Sequence, residues 1–523
     1  MTSPSSNNRL PANLSRRDFM RAALAAGATI STAQALWKQT ANAQARTGGT
    51  LRLGLAGGAT TDSLDPSTFV DTFMLMLGYA VRGNLTEIAP DGSVTAEIAE
   101  SFEGADGAKT WIFRLRKGAA FSNGKTLSAD DVVNSINYHR GNDSKSGAKA
   151  LLAAVTDVKA DGGNAVVLTL ANGNADFPFV LADYHLNIMP FKDGTPDLEA
   201  GAGPYRLKSF QPGVSAILER NRDSYKNAYV DSVEMIAISD TNARQNALST
   251  GEVDVINRTD LKTAHLLTRN TALKITDVPG RMHYNIPALT TVEPFNNVDV
   301  RLALKYGIDR QAIVKTILFG YGQPGNDQPI TPSYRYYAKD LQPRAYDPDK
   351  AKFHLKKAGL DSLKVDLSAA DAAFPGAVDA AVLYADQAAK CGITINVVRE
   401  SDDGYWDKVW LKKPFCMAYW GGRPTEDVML TVAYAKDAAW NEAQWSNDRF
   451  NELLVAARAE LDEAKRRGMY AELQHILSDD GGSVIPVFAN HVHAASTKIA
   501  HPDQLSGSWE LDGGRCIERW WMA

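Results

Sequence analysis

Residues 109–128, KTWIFRLRKGAAFSNGKTLS, alternate Trp111, Phe113 and Leu115 with Ile112, Arg114 and Arg116 before reaching Asn123-Gly124. A period of two predicts a strand with one buried face, and Asn-Gly is a hairpin turn. The period then changes. Ser128 stands at an N-cap position, Asp130 and Asp131 fall in the positive first turn, and Val132, Val133 and Ile136 form an apolar stripe, so a helix begins there. Upstream, 50–55 alternates as a strand and runs into the loop TTDSLDPSTF; downstream, 155–170 reads as two strands joined near Gly162-Gly163. A further hairpin, GAGPYRLKSFQPGVSAILERN, turns at Pro212-Gly213, which makes the first half mostly β.

The second half has another rhythm. Asp347 caps a helix with Pro348 at its first position and Gly359 just past its end. A strand at 363–367, a helix at about 377–390, a strand at 393–398, a short helix carrying Trp406 and Trp410, and a third strand at 414–420 follow. Alternation of this kind predicts a mainly parallel sheet with helical crossovers, which binds ligands outside the carboxyl ends of its strands. The stretch YWGGRPTEDV, 419–428, lies at such an end.

The first 45 residues differ from the rest. SRRDFMR precedes a short alanine-rich run at 22–37 and then ANAQA, the pattern of an export signal with cleavage predicted after Ala45. Arg16-Arg17 followed by Phe19 resemble the twin-arginine export motif, which implies a periplasmic destination. The signal carries five cations against Asp18, so its loss takes the net charge from −5 to −9. That mildly acidic balance argues against a nucleic-acid partner. Cys391, Cys416 and Cys516 are an odd number and too few for a disulfide framework.

Motifs of catalysis are missing. The chain has no GxSxG, HExxH, Cys-x-x-Cys or Walker loop, and its one GxGxxG, at 320–325, follows a helical pattern where a dinucleotide site needs a strand. His491-Val-His493 would put two imidazoles on one face of a strand; without a Cys or acid nearby, a polar strand edge is the expectation. No cofactor, metal or enzymatic activity is expected.

The order of GGTLRLG, TDSLDPST, WIFRLRKGAAFSNGKTLSADDVVNSI, GAGPYRLKSF, GEVDVI, PFNNVDVRLALKYGIDRQAIV, YDPDKAKFHLKKAG and RRGMYAELQHILSDDGGSVIPVF resembles the family-5 extracytoplasmic solute-binding proteins, the peptide, nickel and opine class serving ATP-binding-cassette (ABC) importers. The resemblance spans nearly the whole chain after the signal. It implies an α/β, two-lobed periplasmic binding protein fold (type II, cluster C) with a small domain inserted in the first lobe. On that template lobe I is 46–286 completed by 490–523, the insertion falls at about 80–199, and lobe II is 287–489. It also implies a monomer that captures a small-molecule solute by lobe closure and presents it to permease subunits in the inner membrane. An exported cofactor enzyme and a chemoreceptor partner are the alternatives.

In peptide-binding members, the segment equivalent to WGGRPTED carries an aspartate for the ligand's amino group; here the charge is reversed, at Arg423. Guanidinium offers a bidentate fork to a carboxylate, Gly421 and Gly422 allow close backbone approach, and Thr425 can cap a helix whose start favours anions. Alternatively, Arg423 pairs with Glu426, Asp427 or an acid of the other lobe. Trp420, Trp440, Asn441 and Trp445 are candidate stacking and amide contacts, Tyr284 and Asn285 fall at the predicted crossover between lobes, and Phe69 follows the DPST loop. Together they point to an anionic or zwitterionic solute, an opine-like sugar–amino acid conjugate or a modified oligopeptide.

Overall fold

The computed structural model describes residues 47–523 apart from positions 70, 142, 402–404 and 439, so the export signal and its cleavage site lie outside the described residues. A nine-stranded sheet runs through the molecule in the order Tyr205–Gln211, Ser215–Arg220, Ser232–Ala237, Thr50–Leu55, Val255–Ile256, Ser483–Ser496, Leu273–Pro287 and Ala418–Trp420, with Gly322–Pro324 branching from Ser483–Ser496. Its two longest strands pair antiparallel from Leu273↔Ser496 to Pro287↔Ser483. They carry the chain from one apolar core to another.

Three bodies of core surround this sheet. Residues between 51 and 81, 205 and 267, and 494 and 520 pack on its first half. Residues between 85 and 202 form a separate core, and those between 284 and 489 fill the second half. The middle core is a four-stranded antiparallel sheet, Ala99–Ala105, Thr110–Leu115, Ala165–Leu170 and Val155–Ala160, under the helix Ala129–Tyr138. Trp111, Phe113 and Leu115 are its buried face, as their alternation predicts. Ser128 and Asp131 close a reciprocal capping box on the helix, which satisfies two otherwise orphaned N–H groups.

The predicted parallel sheet of the second half is smaller than expected. Only Leu363–Ala369 and Ile393–Arg399 pair in parallel. The third strand makes one parallel bridge, Ser368↔Cys416, and then leaves: Ala418–Trp420 pairs antiparallel with Leu273–Pro287, Tyr419 opposite Tyr284. The long strand would otherwise present unpaired N–H and C=O groups along that edge, and this pairing satisfies them. His491-Val-His493 also departs from expectation, because Ser483–Ser496 is flanked on both sides. His493 is buried with its ring 5.3 Å from Trp520, and among the described residues no group of three or more His, Cys, Asp or Glu is placed to hold a metal. All three cysteines are buried and free.

Candidate functional site

Where the two long strands cross between cores, a cleft of about 910 Å³ opens. Asn257, Arg258 and Glu510 stand on its first-half wall, and Phe374, Tyr419 and Gly421 on the other. The Arg258 Nε donates to Glu510 Oε1 at 2.6 Å and Asn257 Nδ2 to Oε2 at 2.6 Å, so this carboxylate is already neutralised. Tyr284 stacks on Phe374 with centroids 3.9 Å apart, an aromatic contact across the base of the cleft, and burial pushes its hydroxyl up to about 12.

The loop 421–425 follows the strand Ala418–Trp420. Thr425 accepts from Val428 N at 3.2 Å and caps the helix Glu426–Tyr434. The two glycines differ in purpose. A Cβ on Gly422 would meet Arg281 Cβ at 2.7 Å, so that residue is small in order to pack on the long strand, whereas a Cβ on Gly421 would meet nothing within 4 Å.

Arg423 is half-buried. Its backbone N–H donates to Tyr334 Oη at 2.9 Å, and its Nη1 reaches Gly421 O and Gly422 O only at 3.4 and 3.3 Å. The guanidinium lies 5.1 Å above the Trp420 ring. Both neighbouring acids are engaged elsewhere: Glu426 accepts from Tyr336 N, and Asp427 pairs with Arg458 at 2.9 Å. Among the described residues no carboxylate lies within 4.0 Å of Arg423. Burial pushes its pKa down, while Tyr334, Tyr184, Tyr419 and Asp183 pull it up; Tyr184 and Asp183 belong to the stretch 85–202 that forms the separate core.

Beneath this loop, Glu442 is buried and gathers three donors: Trp410 Nε1 at 2.6 Å, Trp420 Nε1 at 3.0 Å and the Asn285 amide. Burial pushes its carboxyl up. The exposed Trp440 packs 6.0 Å from Trp420 and 6.4 Å from Trp410. The structure therefore brings Trp420, Gly421, Gly422, Arg423, Trp440, Tyr284 and Asn285 together, of which Tyr284, Gly421 and Gly422 line the cleft and Trp420 and Asn285 are buried beside it. Others are placed in the fold's interior. Asn441 donates to Trp445 O at 2.7 Å, Trp445 Nε1 donates to Asp480 at 3.0 Å, and Phe69 is buried beside Arg82, none of them on the cleft wall. Each meets a packing need near in sequence to the site without reaching it in space. Arg258, Glu510 and Phe374, which line the cleft, carry no signal in the sequence, and Glu442 has one only through its place inside WNEAQW, between Trp440 and Trp445.

Separate apolar cores joined by paired long strands, with a cleft where those strands cross, are the architecture of a ligand-capturing receptor. Residues 93–442 match the family described as bacterial extracellular solute-binding proteins, family 5 Middle, and the chain belongs to that family. It is a solute-binding protein, not an enzyme. The dipeptide-binding protein of Escherichia coli (strain K12) is 27% identical over 451 residues, covering 76% of this chain and 81% of that one. The glutathione-binding protein GsiB of Salmonella choleraesuis is 25% identical over 475 residues, covering 87% and 91%. Among solved structures, the binding protein AgaA in complex with agropinic acid, from A.tumefacien R10, shares the fold with a TM-score of 0.73 and 24% identity, covering 91% of this chain and 99% of that one.

Proposed function

We propose that the chain is the periplasmic receptor of an ABC importer and that it closes around a small solute whose acidic group is held by Arg423. The twin-arginine signal, cleaved after Ala45, supplies the export route. The three cores support a division into lobe I at 46–286 with 490–523, an insertion at about 80–199, and lobe II at 287–489. The observation that carries the ligand reading is the state of Arg423: a half-buried cation beside the cleft, tethered by long contacts to two carbonyls, with both adjacent acids committed elsewhere. Relatives named for dipeptides and glutathione, and a fold neighbour bound to agropinic acid, fit a polar ligand with a carboxylate. The exposed face of Trp440 offers that ligand a stacking plane.

Calorimetric titration with glutathione, alanyl-alanine and agropinic acid, alongside mass spectrometry of co-purifying solute, tests this. One-to-one binding by an acidic solute is expected. Removing a desolvated partner of a carboxylate costs about 2 to 5 kcal/mol, so Arg423→Ala should weaken the binding solute about 30-fold or more. Arg423→Lys keeps charge without the fork and should recover part of the loss. Native affinity in Arg423→Ala refutes the assignment.

A further inference from the structure

Alternation along the long strand sends its side chains to two places. Met282 and Tyr284 line the cleft, but Arg281 points to the opposite face, where a second, open cavity of about 290 Å³ lies. The walls come from four separate stretches: 90–92, 278–281, 332–334 and 504–508. Prolines and serines supply six of the fourteen lining residues, and Arg281 is their one cation.

Arg281 is 2% exposed. Its Nη1 donates to Pro424 O at 2.7 Å and approaches Arg423 O at 3.4 Å, and the guanidinium stacks on Tyr334 at 4.7 Å. Its Nε has no hydrogen-bond partner, and among the described residues Nη2 makes no hydrogen bond and no carboxylate lies within 4.0 Å. Nη2 faces Gly92 on the cavity wall, where an added Cβ would sit 3.0 Å away. The buried Arg310, Arg466 and Arg515 each hold a carboxylate, Asp327, Asp176 and Glu97, whereas Arg82 and Arg244, like Arg281, are held by carbonyls; Arg281 differs from these two in having a cavity at its free edge. A buried guanidinium left without an anion is expensive, and a cavity at its free edge is where an anion would relieve that cost.

The geometry points to a second binding site at this cavity, for a small oxyanion such as sulfate, phosphate or a free carboxylate, held by Arg281 Nη2. Ser506 and Ser508 share one hydrogen bond of 2.8 Å between their hydroxyls, which leaves one hydroxyl proton to offer the ligand. Two acids face this region. Asp91, exposed at the mouth, spends Oδ1 on Ser93 N and Oγ, and Glu426, behind the loop, accepts from Tyr336 N. Because the same guanidinium fastens the carbonyls of Arg423 and Pro424, an anion here would also stiffen the loop that carries Arg423. That coupling rests on the reading of Arg423 given above; the site itself does not.

The test uses the purified chain and inorganic sulfate, with selenate as its crystallographic probe. Melting is followed as sodium sulfate replaces sodium chloride at constant ionic strength, because sulfate also stabilises proteins non-specifically and without saturation. The expected result is an anomalous selenate peak beside Arg281 and a saturable rise in melting temperature. Gln504→Glu, on the exposed rim, should weaken sulfate about threefold without changing the melt in chloride, through repulsion alone. Arg281→Lys should weaken it about tenfold by losing the planar fork. No selenate beside Arg281, together with the same unsaturating sulfate response in the native chain and Gln504→Glu, overturns the site. Loss of the selenate peak with native solute affinity, or the reverse in Arg423→Ala, tells failure of this site from failure of the cleft reading.

Discussion

Asp176 belongs to the core at 85–202, yet it is gripped by two arginines from the core at 284–489. Arg335 Nη2 and Arg466 Nη1 each donate to Oδ1 at 2.8 Å, and Arg466 Nη2 lies 2.6 Å from Oδ2. Next to it, Ala175 N donates to Arg458 O at 2.8 Å. The Asp176 side chain is 2% exposed and that of Arg466 4%, whereas Arg335, at 27%, stacks on Tyr336 and Phe179 and can turn toward water. Asp176→Asn therefore strands one charge, that of Arg466. Removing one partner of a buried pair costs about 3 to 5 kcal/mol, and once the pair is broken, removing the other partner costs little more. Asp176→Asn and Arg466→Met should each lower stability by about that amount, and the double variant should fall little below the worse single one.

The resulting coupling energy, about 3 kcal/mol, is read from a double-mutant cycle in urea with fluorescence and circular dichroism compared, since a chain with several cores need not unfold in one step. Small-angle scattering should also show the single variants more expanded, because the contact joins two cores. Additivity to within about 0.5 kcal/mol, with unchanged scattering, would refute the claim that this cluster ties the two units together.

Burial pushes the imidazoles of His139, His283 and His493 down to about 4, 3 and 3. A histidine with a depressed folded pKa binds fewer protons folded than unfolded, so its contribution is intact above about 6.5 and is lost as pH falls toward 3 to 4. At about 1.4 kcal/mol per unit, each withdraws about 2 kcal/mol by pH 5; a melting temperature that stays level from pH 7 to pH 5 contradicts this. Buried Glu426 and Glu442, with raised pKa, act in the opposite sense at lower pH. Gly203→Ala would drive a Cβ to 2.4 Å from Arg82 O and 2.5 Å from Ala80 O, and should cost about 3 kcal/mol in urea denaturation; a loss below about 1 kcal/mol would mean the backbone there can yield. Thr425→Ala removes one cap and should cost about 1 kcal/mol, measured by the same denaturation, with no loss meaning the helix start is held by its tertiary contacts.

Local chemistry made much of the fold legible. Thr50–Leu55, the box at Ser128, and the helix Pro348–Lys357 with Gly359 in left-handed conformation all follow from period, cap and terminator within a few residues. What failed was pairing. Ala418–Trp420 has the apolar look of a parallel strand, but its partner is decided by the open edge of a strand more than 130 residues earlier. The site shows the same division. Trp420 and Arg423 could be picked out from their own loop, but Trp420 is oriented by Glu442 and Arg423 by Tyr334, 89 residues away. Trp445 and Phe69 have the same composition signal and no cleft to face, because an indole or phenyl packs equally well on either side of a wall.

The charge of Arg423 carries a further consequence for affinity. A mobile surface arginine must lose side-chain freedom and water before it grips a carboxylate, and both losses come out of the binding energy. Here much of each is incurred in the folded protein: the backbone N–H is tied to Tyr334, the carbonyl is approached by Arg281, and the guanidinium rests on Trp420, whose indole is fixed by Glu442. On the proposed reading, the fork meets its ligand already placed and partly dry, so the attraction between opposite charges is less diluted by rearrangement. The selectivity follows from the same arrangement. On that reading, with Glu426 and Asp427 both committed, an incoming ammonium would find an uncompensated cation, so a ligand offering only a positive group would be turned away at Arg423.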